Sequence, residues 1–193
     1  SAGNNLAAGE LIYPMMDVIG FSGNTYYQPL GAVIRTEVAF NIDKPYNKGP
    51  LSAGFNGIRE EDMFNLMFGM DWGSVDWTKT YLFTDRPSQI NIQVFDEFIP
   101  GAGDLTGNDR IVDIAGGATN GNNHMDDHQV IATVQMFTHY WNDNLNPTLF
   151  AGTDLTNGGG FIVPAVNYSY GTNWRFKVEA DIFFEEAECA PPG

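Results

Sequence analysis

Trp174-Arg175-Phe176-Lys177-Val178-Glu179-Ala180-Asp181-Ile182 alternates without a break: even positions are apolar and odd positions are charged. Successive side chains of a strand point to opposite faces, so this stretch predicts a strand with one apolar and one ionic face. Two settings accept such a strand. A soluble sheet lays its apolar face on a core and its ionic face in water. A membrane barrel lays them against lipid and a polar lumen.

The same alternation recurs upstream. In residues 32–43, Ala32, Ile34, Val38, Phe40 and Ile42 oppose Arg35, Glu37, Asn41 and Asp43. In 63–72, Phe64, Leu66, Phe68, Met70 and Trp72 oppose Asn65, Gly69 and Asp71. In 90–98, Ile90, Ile92, Val94 and Phe98 oppose Asn91, Gln93 and Glu97, and in 129–141, Val130, Ala132, Val134, Met136 and Tyr140 oppose Gln129, Thr133, Gln135 and His139. Residues 149–155 and 162–170 carry the pattern more weakly, and a first strand around 13–21 is the least marked. About eight strands result, most near the 9–11 residues that a tilted strand needs to cross a bilayer. Only residues 60–68 rival this with a helical reading, and their apolar positions alternate at least as well as they follow 3.6.

Composition narrows the function classes. Asp and Glu number 24 against 9 Lys and Arg, a formal charge of −15. That excess opposes nucleic-acid binding, which wants a basic surface, and peripheral binding to anionic membranes. The 193 residues suffice for one domain. The 22 glycines and 13% aromatics suit a turn-rich all-β chain. Cys189 is the single cysteine, so no internal disulfide forms, and its neighbours Glu185, Glu186 and Glu188 disfavour a thiolate. No apolar run is long enough for a transmembrane helix.

The connections differ in length. Those near 44–61 and 99–128 are long, polar and Gly-rich; those near 142–146 and 171–173 are short. Long and short roughly alternate, as in barrels with long extracellular loops and short periplasmic turns. Trp72, Trp77, Tyr140, Trp141, Tyr168, Tyr170, Trp174 and Phe184 stand at predicted strand ends, where interfacial girdles belong. Aromatics also cap soluble β cores, so a soluble sandwich or barrel stays open at this point.

Three stretches bear on that choice: residues 31–40 (GAVIRTEVAF) with Asp43-Lys44-Pro45-Tyr46; Leu145-Asn146-Pro147-Thr148-Leu149; and residues 158–164 (GGGFIVP) leading to Tyr168 and Asn173-Trp174-Arg175. Together they resemble the C-terminal part of a large proteobacterial outer-membrane barrel family of unknown function. The resemblance runs from about residue 12 to 184. It implies an all-β, antiparallel up-and-down transmembrane β-barrel in the bacterial cell outer membrane, with about eight strands here as part of a larger barrel. Members are porin-like, are often encoded beside RND-type exporters and are suspected of moving hydrophobic compounds; no active site carries over. Two departures stand out: the chain is shorter than the family, and it ends in residues 185–193 (EEAECAPPG) rather than on an aromatic residue. If 174–182 closed the barrel, the 99–128 connection would be periplasmic, against the usual asymmetry. The expectation is therefore a single barrel segment over 1–193, with 99–128 a long extracellular loop, 174–182 running outward, 185–193 starting a loop or tail, and further strands on both sides.

Two constellations are candidates for function. Arg35, Glu37, Asp43, Asp71, Glu97, Arg175, Lys177, Glu179 and Asp181 are read as lumen-facing charges, either a selectivity constriction or a structural ion-pair ladder. In the 101–128 loop, Asp104, Asn108, Asp109, His124, Asp126, Asp127 and His128 offer oxygen and imidazole ligands for Ca²⁺ or a transition metal, although the spacing is not that of an EF-hand. A hydrated acidic loop is the simpler reading. No nucleophile elbow, P-loop or dinucleotide fingerprint occurs, so no enzymatic activity is expected. The expected function is a porin-like channel or a component of a hydrophobic-solute pathway. The expected partners are outer-membrane lipid, lipopolysaccharide, a small solute and other envelope proteins. A non-transporting surface barrel and a soluble all-β binding module are the alternatives.

Overall fold

The computed structural model describes residues 15–49, 57–112, 125–156 and 158–184. Its strands are β1 (Asp17–Tyr27), β2 (Ala32–Lys48), β3 (Ile58–Val75), β4 (Ser88–Phe98), β5 (Ile111–Val112), β6 (His128–Phe137), β7 (Leu145–Asp154), β8 (Gly160–Tyr170), β9 (Trp174–Glu179) and β10 (Ile182–Phe184), with one helical turn, α1 (Trp77–Tyr81), between β3 and β4. All belong to one antiparallel sheet whose spatial order follows the chain, β1-β2-β3-β4-β6-β7-β8. Both β9 and β10 pair with β8, and β5 returns to pair with β2. The predicted up-and-down all-β order is present. The sheet is not closed: among the described residues, β1 has a strand only on its β2 side, and β9 and β10 only on their β8 side.

The predicted strands are found with shifted bounds. The first lies at 17–27 rather than 13–21; Tyr13 is outside the described residues. The fifth stops at Phe137, because Trp141, Asn142 and Asp143 turn left-handed at φ 54°, 52° and 64°. The last is two pieces of one strand. Opposite its break stands Pro164, which has no N–H to donate, so Ala180 N–H donates to the Pro164 carbonyl (3.1 Å) and 180–181 leave the ladder before the same register resumes at Ile182. Residues 60–68 are strand, not helix. The helical turn α1 was not legible, since five residues are too few to show a period.

The connections expected to be long, β2–β3 and β4–β6, leave from one end of the sheet together with the short β7–β8 connection; 28–31, 138–144, 171–173 and the twelve-residue 76–87 lie at the other. At the long-connection end β2 and β3 run to 17 and 18 residues, well beyond their neighbours.

A single sheet has no second layer to bury its faces against. Only seven apolar residues are buried among those described. Five of them, Tyr46, Met63, Ile99, Ala102 and Ile111, form one cluster with Leu105 and Met125 packed on it. That cluster sits at the long-connection end, where residues 99–112 fold back on the overhanging ends of β2 and β3.

Glycine is required where β7, β8 and β10 meet. A Cβ on Gly160 would collide with the Gly152 carbonyl and lie 2.8 Å from the Phe184 ring. Phe184 thus covers the backbone that Gly160 leaves bare. Gly160→Ala is expected to lower stability by roughly 1–3 kcal/mol, the usual cost of overpacking. Gly73→Ala, which enters open space, is expected to change it by less than about 0.5 kcal/mol. Urea titration of the two variants checks this.

Candidate functional site

Cross-strand partners share a face, so the ladder register assigns every strand side chain to one of two sides. One line runs Ile34, Met70, Ile92, Val134, Ala151, Ile162 and Ile182. The adjacent line, on the opposite face, runs Arg35, Gly69, Gln93, Thr133, Gly152, Phe161 and Phe183. Arg35, Glu37, Asp71, Glu97, Arg175, Lys177 and Glu179 all fall on this second face. Arg35 Nη2 donates to Asp71 Oδ1 (3.0 Å), and the Asn91 amide also donates to Asp71. Lys177 Nζ lies 2.7 Å from Glu179.

One of the expected charges departs from this face. Asp43 sits at a β-bulge with φ 52°, where its N–H donates to the Asp62 carboxylate (3.1 Å). The extra residue resets the alternation, so Lys44 and Tyr46, not Asp43, continue the second face. Asp181 lies in the break between β9 and β10, and the register shared by the two sets it opposite Val163 of the second face. The second face is also less polar than its charges suggest. It is ionic on β2–β4 but carries Ile131, Phe150, Phe161, Val163 and Phe183 on β6–β10, with the Phe150 and Phe161 rings 5.0 Å apart. Apolar residues on both faces explain why the alternation in 149–155 and 162–170 read as weak.

A groove of about 470 Å³ follows β1–β4, lined on the second face by Ser22, Glu37, Asn65, Met67, Phe95 and Glu97. Its upper end is the buried cluster. Tyr46 Oη donates to Met63 Sδ (2.8 Å) and Lys44 Nζ approaches the same sulfur (3.1 Å). Burial, then the nearby Glu97 and Glu61 carboxylates, push the Tyr46 phenol well above its ordinary value and keep it a donor. The expected free loop is therefore folded back over 99–112. Ile99 N–H donates to the Asp127 carbonyl (2.7 Å), Gly103 N–H to Asp127 Oδ1 (2.7 Å), and Lys48 pairs with Asp109 (2.6 Å).

These contacts also scatter the proposed metal ligands. Asp109 is held by Lys48, Asp127 by Gly103, and His128 Nδ1 by Asp96 (3.0 Å) on the opposite face. Among the described residues no three acidic, His or Cys side chains converge as a metal site, and His124 lies outside them. Asp104 and Asn108 stay exposed.

The first face is apolar and open. Val38, Phe68 and Val178 are 43%, 45% and 74% exposed with nothing packed on them. At the long-connection end it carries an unbroken ring row: Phe40–Phe64 (4.6 Å between centroids), Phe64–Phe98 (6.1 Å) and Phe98–His128 (4.4 Å). At the other end stand Trp72, Trp77, Trp141, Tyr168, Trp174 and Phe176. The long-connection row follows the rungs, since Phe40, Phe64, Phe98 and His128 are direct ladder partners, whereas the short-connection belt is offset from its rungs. The row through Trp72 reaches β8 at Pro164, four residues short of Tyr168. The row through Gly160, which Phe184 covers, reaches β3 at Phe68, four residues short of Phe64. Four residues over four strand-to-strand steps, at a rise of ~3.3 Å and a spacing of ~4.8 Å, is an inclination of roughly 35°.

Asp96 was missed by the alternation, because a lone acid on an apolar face matters only once its partner is known. His128, stacked on Phe98, is that partner. Lys48 and Met63 were missed for the same reason: their roles depend on a segment more than 35 residues away in sequence.

The Lys48 ammonium holds the Asp109 carboxyl below its usual range, by hydrogen bond first and charge second. A depressed carboxyl contributes stability above its unfolded value of about 3.9, and loses it as pH falls through the folded value. Hydrogen exchange at Ile111 and Val112 is therefore expected to be slowest at neutral pH and to rise modestly below about pH 3.9; Asp109→Asn should raise it at neutral pH by no more than a few-fold, since the pair is exposed. Against known proteins, no family model, curated protein or solved structure matches the chain.

Proposed function

We propose that the chain forms part of the wall of a bacterial outer-membrane β-barrel. It would be a porin-like channel, or the barrel component of a pathway for hydrophobic solutes, in the family named above by resemblance. The observation that carries this reading is an uncovered apolar face with aromatic rings at both of its ends. Phe64 and Trp72 are eight residues apart on β3, a rise of ~27 Å along the strand and ~22 Å along the normal at a tilt of about 35°, near the ~25 Å apolar band of a membrane barrel. The offset between Trp72 and Tyr168, roughly 35°, is near the tilt of barrel strands in a bilayer, at about 35–45°. A soluble sheet would bury such a face against a second layer.

In this reading the first face meets lipid and the second lines the lumen. Long connections face outward, toward lipopolysaccharide, and short ones inward. Open strand edges are not tolerated in hydrocarbon, so β1 and β9–β10 would meet further strands. Residues 99–112 fold across the second face at the outer mouth and narrow it. The groove below joins Glu37 and Glu97 to Met67 and Phe95, a lining suited to solutes with both polar and apolar parts. As a conduit the protein performs no catalytic step.

The full chain, refolded in detergent, is expected to migrate faster unheated than heated in SDS gels and to conduct in planar bilayers. Val134→Arg, central on the first face, should lose roughly 2–4 kcal/mol of folding energy in vesicles. Thr133→Arg, one residue away on the second, should fold normally and alter conductance. Equal tolerance of both arginines, with folding in plain buffer, would indicate a soluble sheet. Heat-shifted folding without conductance would indicate a non-transporting barrel.

A further inference from the structure

On the first face, at the short-connection end, β3 does not run straight into β4. The register slips between Trp72, opposite Ile90, and Val75, opposite Ser88. This bulge swings the chain outward into α1 and opens a second groove of about 510 Å³, walled by Trp72, Trp77, Val75, Ile90 and Ile92, with Ser74 and Asp76 also lining it. Trp72 Nε1–H donates to the Leu30 carbonyl (3.1 Å), which holds its indole. Thr78 is fully buried and saturated. Its hydroxyl donates to the Val75 carbonyl (2.7 Å) and accepts from Ser88 N–H (3.0 Å) and the Thr84 hydroxyl (3.3 Å). The Trp72 indole cannot move into the gap without breaking its bond, and the Thr78 bonds hold the backbone that carries Trp77.

We propose that this groove holds one acyl chain of a phospholipid from the leaflet on the short-connection side. The proposal rests on the bilayer reading of the first face. The groove is continuous with that face through Ile90 and Ile92, lies at the level of Trp72, and is mostly apolar, with Ser74 and Asp76 as its polar lining. Within lipid, selection of a chain by such a site comes from packing against fixed walls rather than from water exclusion. A slot walled by the held Trp72 indole, Val75, Ile90 and Ile92 supplies that, whereas the remainder of the face offers only a pleated surface.

The test uses the full chain folded into phosphatidylcholine vesicles containing a rising fraction of phosphatidylcholine brominated on its acyl chain. One variant keeps both groove indoles, Trp72 and Trp77 (Trp141→Phe, Trp174→Phe). Another keeps Trp174 alone, on the same belt but away from the groove. The groove indoles are expected to reach half-maximal quenching at a bromolipid fraction roughly threefold lower than Trp174, as a site with better packing than its surroundings demands. Adding Ser74→Phe, or Ile92→Phe should the first not fold, is expected to return them to the Trp174 curve. Identical curves for the two proteins would overturn the groove and leave the bilayer reading standing. No quenching of either would overturn both.

Discussion

The antiparallel ladder is the constraint on which everything else in this molecule depends. It runs unbroken in register from β1 to β8 and on to β9 and β10, apart from bulges in β2 and β3. Because side chains alternate with period two, a slip of one residue in any pair would send Ile92 or Val134 to the ionic face and Arg35 or Asp71 to the apolar one. Register is therefore held by the requirement that unlike faces meet unlike surroundings. It is supported locally by pairs such as Arg35–Asp71 and Phe40–Phe64.

The ladder also makes the departures meaningful. A sheet with one layer leaves most of its apolar residues exposed, and the small buried cluster stands only where 99–112 folds back on the overhangs of β2 and β3. The bulge at Asp43 lets this happen, since it turns Tyr46 onto the face that the returning segment covers. The bulge after Trp72 does the reverse, carrying the chain outward into α1 and leaving a slot in the apolar face. Each bulge thus builds a feature at one end of the sheet: a covered apolar cluster at the long-connection end and a groove in the apolar face at the other.

Much of this was legible in the residues themselves. The alternation of 174–182 placed Trp174, Phe176 and Val178 on one face and Arg175, Lys177 and Glu179 on the other. The register with β8 keeps that division. The four connections whose lengths were read fall at the ends expected of them, but 76–87 and 155–159 break the rule of length. Failures fell where a local rule meets a distant partner. Asp43 follows the period in sequence but occupies a bulge. The loop ligands Asp109, Asp127 and His128 look like a cluster in sequence, but each is claimed by a different residue, Lys48, Gly103 or Asp96.

The sequence by itself determined which residues share a face along each strand and which connections are long, because both follow from neighbours within about ten positions. The tertiary structure alone decided how the strands are offset. That offset sets the alignment of the Phe40–Phe64–Phe98–His128 row along the rungs, the pairing of Asp96 with His128 across the Phe98 ring, and the return of Ile111 to the edge of β2. The physical reason is that offset is a relation between strands remote in sequence. It is fixed by hydrogen bonds and ring contacts that no single segment contains.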